Sequence, residues 1–152
     1  MQVSVATLQD CREIVNILCE HYLKETIFTG MTYDHAKTVK KVYEWLASGS
    51  CLIIKDQSSI VGLCVVEIGN TFYVEPEADI AMFYIMPEYR ATQAARLIRD
   101  EAIRFAREKG AMLIYSLSGS GISDRNDNLY CNLWRKAGLQ KLGTCMIGVL
   151  NG

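Results

Sequence analysis

The chain has 152 residues, half of them hydrophobic, and its 16 basic and 17 acidic side chains leave a formal net charge of −1. This length and apolar content predict a single domain over residues 1–152 with a substantial core, and they exclude a disordered chain. The balanced charge, without a long run of lysine and arginine, predicts no nucleic-acid partner, and no apolar stretch is long enough to span a bilayer.

Six cysteines lie far apart in the sequence, without a C-x-x-C pair or the cysteine and histidine spacing of a metal site. The N-terminus lacks the charged-then-apolar pattern of a signal peptide. We therefore expect reduced, mostly buried thiols, no bound metal, no membrane segment and a cytoplasmic location. Three disulfides are the alternative, although a chain with a full core does not need them.

The first half of the chain predicts two helices and three strands. Gln2 to Ala6 has the pattern of a strand, and Thr7 with Asp10 resembles a capping box. Apolar spacing then predicts helices over 8–24 and 34–47. Two β-rich runs, 51–55 and 60–68, flank a polar turn and predict an antiparallel hairpin.

Residues 79–96 carry the most informative pattern. A strand over Asp79 to Met86 stops at Pro87, makes a short turn and enters the longest helix, predicted over 92–109. The first N–H groups of a helix have no partner within it, and the helix dipole adds partial positive charge there, so such a junction suits an anion. An ordinary strand-turn-helix is the simpler alternative.

A strand over 112–117, a short helix over 127–136 and two strand-like runs through Leu150 complete the chain. The predicted order is β-α-α-β-β-β-α-β-α-β. One strand-helix-strand connection is a parallel crossover, whereas others are hairpins. The class is therefore α/β with a mixed sheet.

Two stretches resemble the GNAT N-acetyltransferase superfamily: the strand end Ile85-Met86-Pro87-Glu88-Tyr89-Arg90, and Leu133-Trp134-Arg135-Lys136-Ala137-Gly138-Leu139 near the C-terminus. With the order of elements, the resemblance covers nearly the whole chain. Ser120-Gly121-Ile122 is similar to a stretch of GNAT-like proteins from phages and prophages. The resemblance implies a single-domain GNAT-like fold: a mixed, mostly antiparallel sheet with flanking helices and a central, splayed pair of parallel strands.

In this family a Gln/Arg-x-x-Gly-x-Gly/Ala motif binds the pyrophosphate of acetyl-CoA. The matching residues here are Arg90, Ala91, Thr92, Gln93, Ala94 and Ala95. Gln93 stands in place of a glycine, and its side chain occupies space and disfavours positive φ. The resemblance implies acetyl-CoA binding, with weakened affinity as an alternative. Arg90 and Arg96 are candidate phosphate ligands, and a solvated helix charge is an equal alternative for Arg96.

Further cofactor contacts are implied by the resemblance alone. The strand before the turn splays from its neighbour, and the backbone of Phe83 and Ile85 pairs with the pantetheine arm, with one amide near Phe83 facing the thioester oxygen. An asparagine at the start of the last helix also contacts the arm. Asp127 has the strict spacing, Asn126 and Asn128 flank it, and Asn128 is our candidate; all three are also ordinary N-cap residues.

Catalysis requires a proton acceptor, because an ammonium has no lone pair with which to attack. Asp79, where many family members carry a glutamate, is the candidate base, directly or through water; a purely structural role is the alternative, with Glu77 and Glu75 as substitutes. The family's acidic tyrosine corresponds to Trp134, whose indole cannot supply a proton near neutral pH. Tyr130, one turn earlier, is the candidate acid. The alternatives are catalysis without an acid, or lost activity.

The resemblance thus implies an acetyl-CoA-dependent N-acetyltransferase that transfers an acetyl group directly to the primary amine of a small molecule or protein. A catalytically weak or silent acyl-CoA-binding or protein-interaction module is the alternative, motivated by Gln93 and Trp134. Many relatives dimerise through their C-terminal strands, and the apolar run 145–150 permits a homodimer. One wall of the acceptor cleft is predicted around His21, Tyr22, Phe28, Tyr33 and His35.

Overall fold

The computed structural model of the chain describes residues 1–26, 32–117 and 122–143. These residues form five strands and five α-helical segments. In chain order these are β1 (Gln2–Val5), α1 (Cys11–Ile17), α2 (Leu23–Glu25), α3 (His35–Ser48), β2 (Cys51–Asp56), β3 (Ser59–Gly69), β4 (Glu77–Ile85), α4 (Ala94–Glu108), β5 (Leu113–Tyr115) and α5 (Asp124–Arg135).

The five strands form one mixed sheet in the order β1-β2-β3-β4-β5. The first four are antiparallel neighbours, and β4 and β5 are parallel, which confirms the predicted class and its single parallel crossover. The parallel pairing is short: it runs from Glu77 opposite Leu113 to Asp79 opposite Tyr115. Because β4 continues to Ile85, its second half has an edge that no described strand covers.

A bulge interrupts β4 at Ala81. Val65 of β3 pairs with Met82 and Val66 pairs with Ile80, so Ala81 is left without a partner. An extra residue bends a strand and reverses the alternation of its side chains. Residues Glu77 and Asp79 therefore share the α3 side of the sheet with Met82 and Tyr84, whereas Phe83 and Ile85 lie on the α4 side.

Buried apolar side chains pack on both faces of the sheet, in a helix-sheet-helix arrangement. Burial of each large aliphatic side chain contributes roughly 1.5–3 kcal/mol. Side chains of β4 belong to a buried cluster on each face, so β4 is packed on both sides. The cluster on the α1 and α3 side includes Ile14, Val42, Trp45, Leu63 and Val65, and the one on the α4 and α5 side includes Leu52, Ile54, Ile98, Phe105 and Trp134.

The predicted first helix is present but irregular. Asp10 accepts a hydrogen bond from the Thr7 amide at 2.8 Å, as the capping box predicts. A 3₁₀ turn, Leu8–Asp10, precedes α1, and a wider π-helical turn, Leu18–Tyr22, separates α1 from α2. Such wide turns are often found at functional sites.

Two boundaries near the C-terminus differ from prediction. The last helix begins at Asp124 because Ser123 caps it, accepting a hydrogen bond from the Asn126 amide at 3.3 Å. Asn126, Asp127 and Asn128 all lie inside the helix, so the alternative that one of them is its N-cap is wrong. Residues 139–143 form no strand, and the rest of the predicted final strands, including the proposed dimer surface 145–150, lies outside the described residues.

The described residues contain no helix long and apolar enough to cross a membrane. They also contain no group of three or more histidine, cysteine, aspartate or glutamate side chains placed to hold a metal ion. All five described cysteines are free thiols.

Candidate active site

The turn between β4 and α4 presents unpaired amides at a helix N-terminus. A 3₁₀ turn, Pro87–Tyr89, follows β4, and α4 begins at Ala94. The Thr92 hydroxyl donates to the Tyr89 carbonyl at 2.7 Å and accepts from the Ala94 amide at 3.2 Å. In the part of the chain that the structure describes, the amides of Gln93, Ala95 and Arg96 have no hydrogen-bond acceptor. Together with the helix dipole, these donors make an anion site.

Gln93 adopts an ordinary helical conformation, with φ −73° and ψ −5°. The backbone therefore does not need the conformational freedom of the glycine that the family prefers here. Weaker cofactor binding was expected for two reasons, the disfavoured positive φ and the volume of the side chain, and this geometry removes the first. The other, the volume of the exposed side chain, is unaffected by this geometry.

The side chain of Arg90 points back into the protein. Its Nε donates to the Ile85 carbonyl at 2.9 Å, one terminal nitrogen lies 2.7 Å from Glu25 Oε2, and the guanidinium carbon lies 5.4 Å from the centre of the Tyr84 ring. The Tyr84 hydroxyl donates to the other oxygen of Glu25. We call Glu25, Tyr84 and Arg90 the clamp. It ties α2 to the turn and occupies the guanidinium, whereas Arg96 is exposed on the first turn of α4.

The open edge of β4 directs specific backbone groups outward. The Met86 amide donates to the Val61 carbonyl of β3 at 2.9 Å. Because hydrogen-bonded and non-hydrogen-bonded pairs alternate in an antiparallel ladder, the N–H and C=O groups of Phe83 and Ile85 face away from β3. These are the two residues predicted to pair with the pantetheine arm. The Ile85 carbonyl is used by Arg90, whereas the Ile85 amide faces the edge.

Three aromatic rings lie beside this edge, and we call them the aromatic trio. Phe83 packs edge-to-face with Tyr130 and Trp134 of α5, with ring centres 5.4 and 5.9 Å apart. The Tyr130 hydroxyl shares a hydrogen bond with Ser116. Burial raises the pKa of Tyr130, and the neighbouring Ser116 hydroxyl and Trp134 N–H offset only part of that rise. Tyr130 is therefore protonated at neutral pH and releases its proton less readily than an exposed tyrosine does.

A cavity of about 730 Å³ adjoins the aromatic trio. Its size lies within the range of small-molecule sites. The rings of Tyr130 and Trp134 therefore border a space large enough for a ligand. It is lined by segments 112–117 and 137–143 and by four residues of α5, Tyr130, Cys131, Trp134 and Arg135.

Three carboxylates gather at the start of β4. Asp79 lies opposite Glu67 of β3, and Glu77 is buried and accepts a hydrogen bond from the Thr71 amide at 2.9 Å. Burial raises the pKa of Asp79, and the nearby charges of Glu67 and Glu77 raise it further. A carboxylate with a raised pKa is better matched to proton transfer near neutral pH. Asp79 therefore has the environment of a general base.

The remaining predicted residues are dispersed. Tyr22 packs edge-to-face on Tyr84 at 5.6 Å, which places it near the clamp. Tyr33, His35, Glu75 and Asn128 are exposed, His21 is half-buried, and Phe28 lies outside the described residues.

Glu25 and Glu67 were not predicted from the sequence. Glu25 meets Arg90 across 65 positions of sequence, and no local pattern indicates that contact. The sequence did contain a sign of Glu67, because a glutamate within an otherwise apolar strand is unusual. The indole of Trp45 donates to it at 3.3 Å.

Solved structures share this fold. An integron cassette protein from the mobile metagenome of Cole Harbour Salt Marsh is 15% identical with a TM-score of 0.75, over 99% of this chain and 91% of that one. A predicted acetyltransferase with acetyl-CoA from Clostridium acetobutylicum is 18% identical with a TM-score of 0.69, over 99% and 95%. An aminoglycoside 6'-N-acetyltransferase from Acinetobacter haemolyticus is 11% identical with a TM-score of 0.70, over 99% of both chains.

A search of curated protein sequences finds no match. The placement of this chain among phage and prophage proteins stays a prediction. A family model described as the acetyltransferase (GNAT) family matches residues 13–138. This match covers most of the chain, including the turn, the aromatic trio and the three carboxylates, and it confirms the resemblance. The chain belongs to the GNAT acetyltransferase family.

Proposed function

We propose that this protein is an acetyl-CoA-dependent N-acetyltransferase that transfers the acetyl group directly to the primary amine of a small molecule or a protein. The observation that carries the proposal is the arrangement along β4. A partly buried carboxylate with a raised pKa lies at its start, an open backbone edge follows, and a helix N-terminus with free amides lies beyond its end.

The residues present fit the acetyl donor. The free amides of Gln93, Ala95 and Arg96 suit a diphosphate, and the small side chains of Ala91, Thr92 and Ala94 leave the turn uncrowded. The outward-facing backbone of Phe83 and Ile85 suits the amide-bearing pantetheine arm. Acetyl-CoA, when bound, supplies a thioester whose carbonyl carbon is open to attack by an amine. Asn128 is retained as a contact to the arm.

Asp79 is the proposed base. It accepts a proton from the amine nitrogen, directly or through water, so that the nitrogen lone pair is free to attack. Tyr130 is the proposed donor of a proton or a hydrogen bond to the departing sulfur. Its raised pKa favours the protonated form, which suits hydrogen bonding better than proton release.

The charge around Asp79 favours a cationic acceptor. Asp79, Glu67 and Glu77 lie on the α3 side of the sheet, and Lys41 is 3.9 Å from Glu67. A structural neighbour is named as an aminoglycoside 6'-N-acetyltransferase, so we include compounds with several amines among the candidate acceptors. The free thiols suit a reducing, cytoplasmic setting, which is also part of the proposal.

A second candidate is an acyl-CoA-binding module with weak or no turnover. Trp134 favours this second candidate. It stands at the position of the tyrosine that acts as general acid in the family, and its indole has no transferable proton near neutral pH. Both candidates require acetyl-CoA binding. They differ only in whether the thioester is consumed.

Thermal unfolding with and without acetyl-CoA tests binding. A ligand at 100 times its Kd adds about 2.7 kcal/mol to the free energy of unfolding. Release of the CoA thiol is then followed with diamines, an aminoglycoside and a peptide with a free N-terminus. Thiol release with any of these supports the transferase. Stabilisation without release on the whole panel supports the binding module, and no stabilisation contradicts both.

A further inference from the structure

Three large apolar side chains are exposed in a row at the turn between β3 and β4. Phe72 is 88% exposed, Tyr73 is 59% exposed and Val74 is 91% exposed. We call residues 72–74 the hairpin tip. Single exposed apolar side chains are common on folded proteins, whereas a group of them marks a surface that binds a partner. The buried core of the domain does not account for the hairpin tip.

Hydrogen bonds hold the hairpin tip in place. Asn70 Nδ2 donates to the Val74 carbonyl at 2.8 Å and closes the turn. The Met112 amide donates to the Pro76 carbonyl at 2.9 Å, which ties the end of the turn to the residue before β5. Met112 is itself 79% exposed and adds to the apolar surface. A hydrogen-bonded turn therefore presents these side chains to the solvent.

The start of the turn bends toward the side of the sheet on which Asp79 lies. The Thr71 amide donates to the Glu77 carboxylate at 2.9 Å, and Glu77 is on the same side as Asp79. Tyr115 is the partner of Asp79 in the parallel ladder, so its ring lies on that side too. Partial burial and the nearby carboxylates raise the pKa of Tyr115, and a hydrogen bond with Thr71 offsets part of that rise. Both contacts of Thr71 are thus on the side of the proposed base.

The distance between the hairpin tip and Asp79 sets the length of a ligand that contacts both. Glu77 and Asp79 are two positions apart on β4, about 7 Å along the strand, and the hairpin tip lies beyond Glu77. Such a ligand is therefore longer than a short diamine. An extended peptide, with roughly 3.3–3.6 Å per residue, covers the distance in about three residues.

The surroundings of the hairpin tip are acidic. Residues 56–89 contain six aspartate or glutamate residues and no lysine, arginine or histidine, and segment 112–117 has no charged residue. Lys41 of α3 offsets one of these carboxylates, at 3.9 Å from Glu67. An apolar surface with negative charge around it is complementary to a partner that carries both apolar and cationic groups.

We propose that the hairpin tip binds a peptide segment of the acceptor, with an apolar side chain against Phe72 and Val74 and the amine to be acetylated at Asp79. The inference rests on the proposed function and selects peptide and protein amines from the candidate acceptors. The apolar residue of the acceptor lies about three positions from the residue that carries the amine. The hairpin tip determines which acceptor is used and takes no part in the transfer itself.

Steady-state kinetics with a matched pair of peptides test this inference. Both peptides carry a blocked N-terminus, one lysine and the same charge. One has phenylalanine three positions before and three positions after the lysine, and the other has serine at both positions. We expect kcat/KM to be about tenfold higher for the phenylalanine peptide, equivalent to about 1.4 kcal/mol, mainly through KM, because its ring is removed from water at the hairpin tip.

The double variant Phe72→Ser and Val74→Ser removes the apolar surface and keeps the hydrogen bond from Asn70 to the carbonyl of residue 74. We expect it to lose the preference for the phenylalanine peptide. Its kcat/KM for a short diamine and its affinity for acetyl-CoA are expected to be unchanged. Leu8→Ser is the matched control, since Leu8 is 58% exposed on the 3₁₀ turn before α1, and this variant is expected to keep the preference.

The outcomes are distinguishable. Equal kcat/KM of the wild type for both peptides, or a preference that the double variant retains, overturns the inference and leaves the proposed function intact. Equal losses for both peptides and the diamine also overturn it, because they indicate general damage to the site. A wild-type dimer that the double variant loses, measured by analytical ultracentrifugation, assigns the hairpin tip to a second copy of this chain and overturns it as well. Absence of CoA release with every acceptor overturns the proposed function and this inference together.

Discussion

The two ends of β4 handle charge in opposite ways. At its start, Asp79 lies beside Glu67 and Glu77, and the repulsion among them is part of what raises the pKa of Asp79. At its end, the guanidinium of Arg90 is neutralised by Glu25 at 2.7 Å. The first end keeps like charges close together and so favours proton uptake. At the second end Arg90 is paired within the protein, so the donors available to an anion are the unpaired amides of the turn and the exposed Arg96.

The largest expected effect follows from removing the charge at the first end. Asp79→Asn removes the proposed base, and we expect kcat to fall by about a hundredfold or more. Acetyl-CoA affinity is expected to be unchanged, since this residue is at the opposite end of the strand from the turn. Glu75→Gln, at an exposed loop position, is the matched control and is expected to retain activity. Loss of activity in the control alone would make Glu75 the base.

The pH dependence of the wild type sharpens the same comparison. Since the folded-state pKa of Asp79 is raised above 3.8, kcat/KM is expected to fall as the pH drops through that raised value. Stability has the opposite pH dependence. The folded state favours the protonated form of Asp79, so the free energy of unfolding decreases as the pH rises from 3.8 through the folded-state pKa. Asp79→Asn is therefore expected to be more stable than wild type at neutral pH, and the two should converge in acid. If Asp79→Asn remains more stable than wild type by the same amount in acid, the raised pKa of Asp79 is not the cause of its higher stability.

At the second end, loss of the clamp is expected to weaken folding. Glu25→Ala leaves the partly buried guanidinium of Arg90 without its carboxylate, at a cost of about 2 kcal/mol, or about 30-fold in the folding equilibrium. Urea unfolding measures this, and a double-mutant cycle with Arg90→Ala is expected to be strongly non-additive. Glu20→Ala breaks an exposed pair with Lys24 and serves as the control without measurable effect. Additive losses for Glu25 and Arg90 would show that the two side chains stabilise the fold independently.

The smallest expected effect concerns the turn itself. Gln93→Glu places a carboxylate among the free amides, so we expect acetyl-CoA affinity to fall about tenfold, while the free protein gains about 0.3–1 kcal/mol from the helix dipole. Gln93→Gly removes the side chain without adding charge, so it separates the effect of side-chain volume from the effect of negative charge. Calorimetric titration gives the affinities. Gln9→Glu repeats the chemical change at an exposed residue of another element, and an equal loss there would make the effect nonspecific.

Much of the fold was predictable because its elements have strong local patterns. The strand that ends at Pro87 and the amphipathic helix after it follow from apolar spacing, and the family motif marks the turn between them. The partner of Arg90 was not predictable, since an arginine at a turn can reach a phosphate or a carboxylate and only the tertiary position of Glu25 decides. The start of α5 was misplaced because Ser123, Asn126 and Asp127 are all good caps, and local chemistry does not choose among them.

The bulge at Ala81 has a consequence for comparison and engineering. Residues 79 and 83 are four positions apart, an even number, yet the extra residue sends the carboxylate to one side of the sheet and the aromatic ring to the other. Deletion of Ala81 would leave both side chains on their present sides, because each keeps its partner on β3, and would remove only the local bend of the bulge. Against a relative whose corresponding strand has no bulge, an alignment without a gap at this position pairs every later residue of the strand with a residue on the wrong face. In a regular strand without the bulge, the same carboxylate and aromatic ring lie on opposite sides only if they are placed three positions apart instead of four.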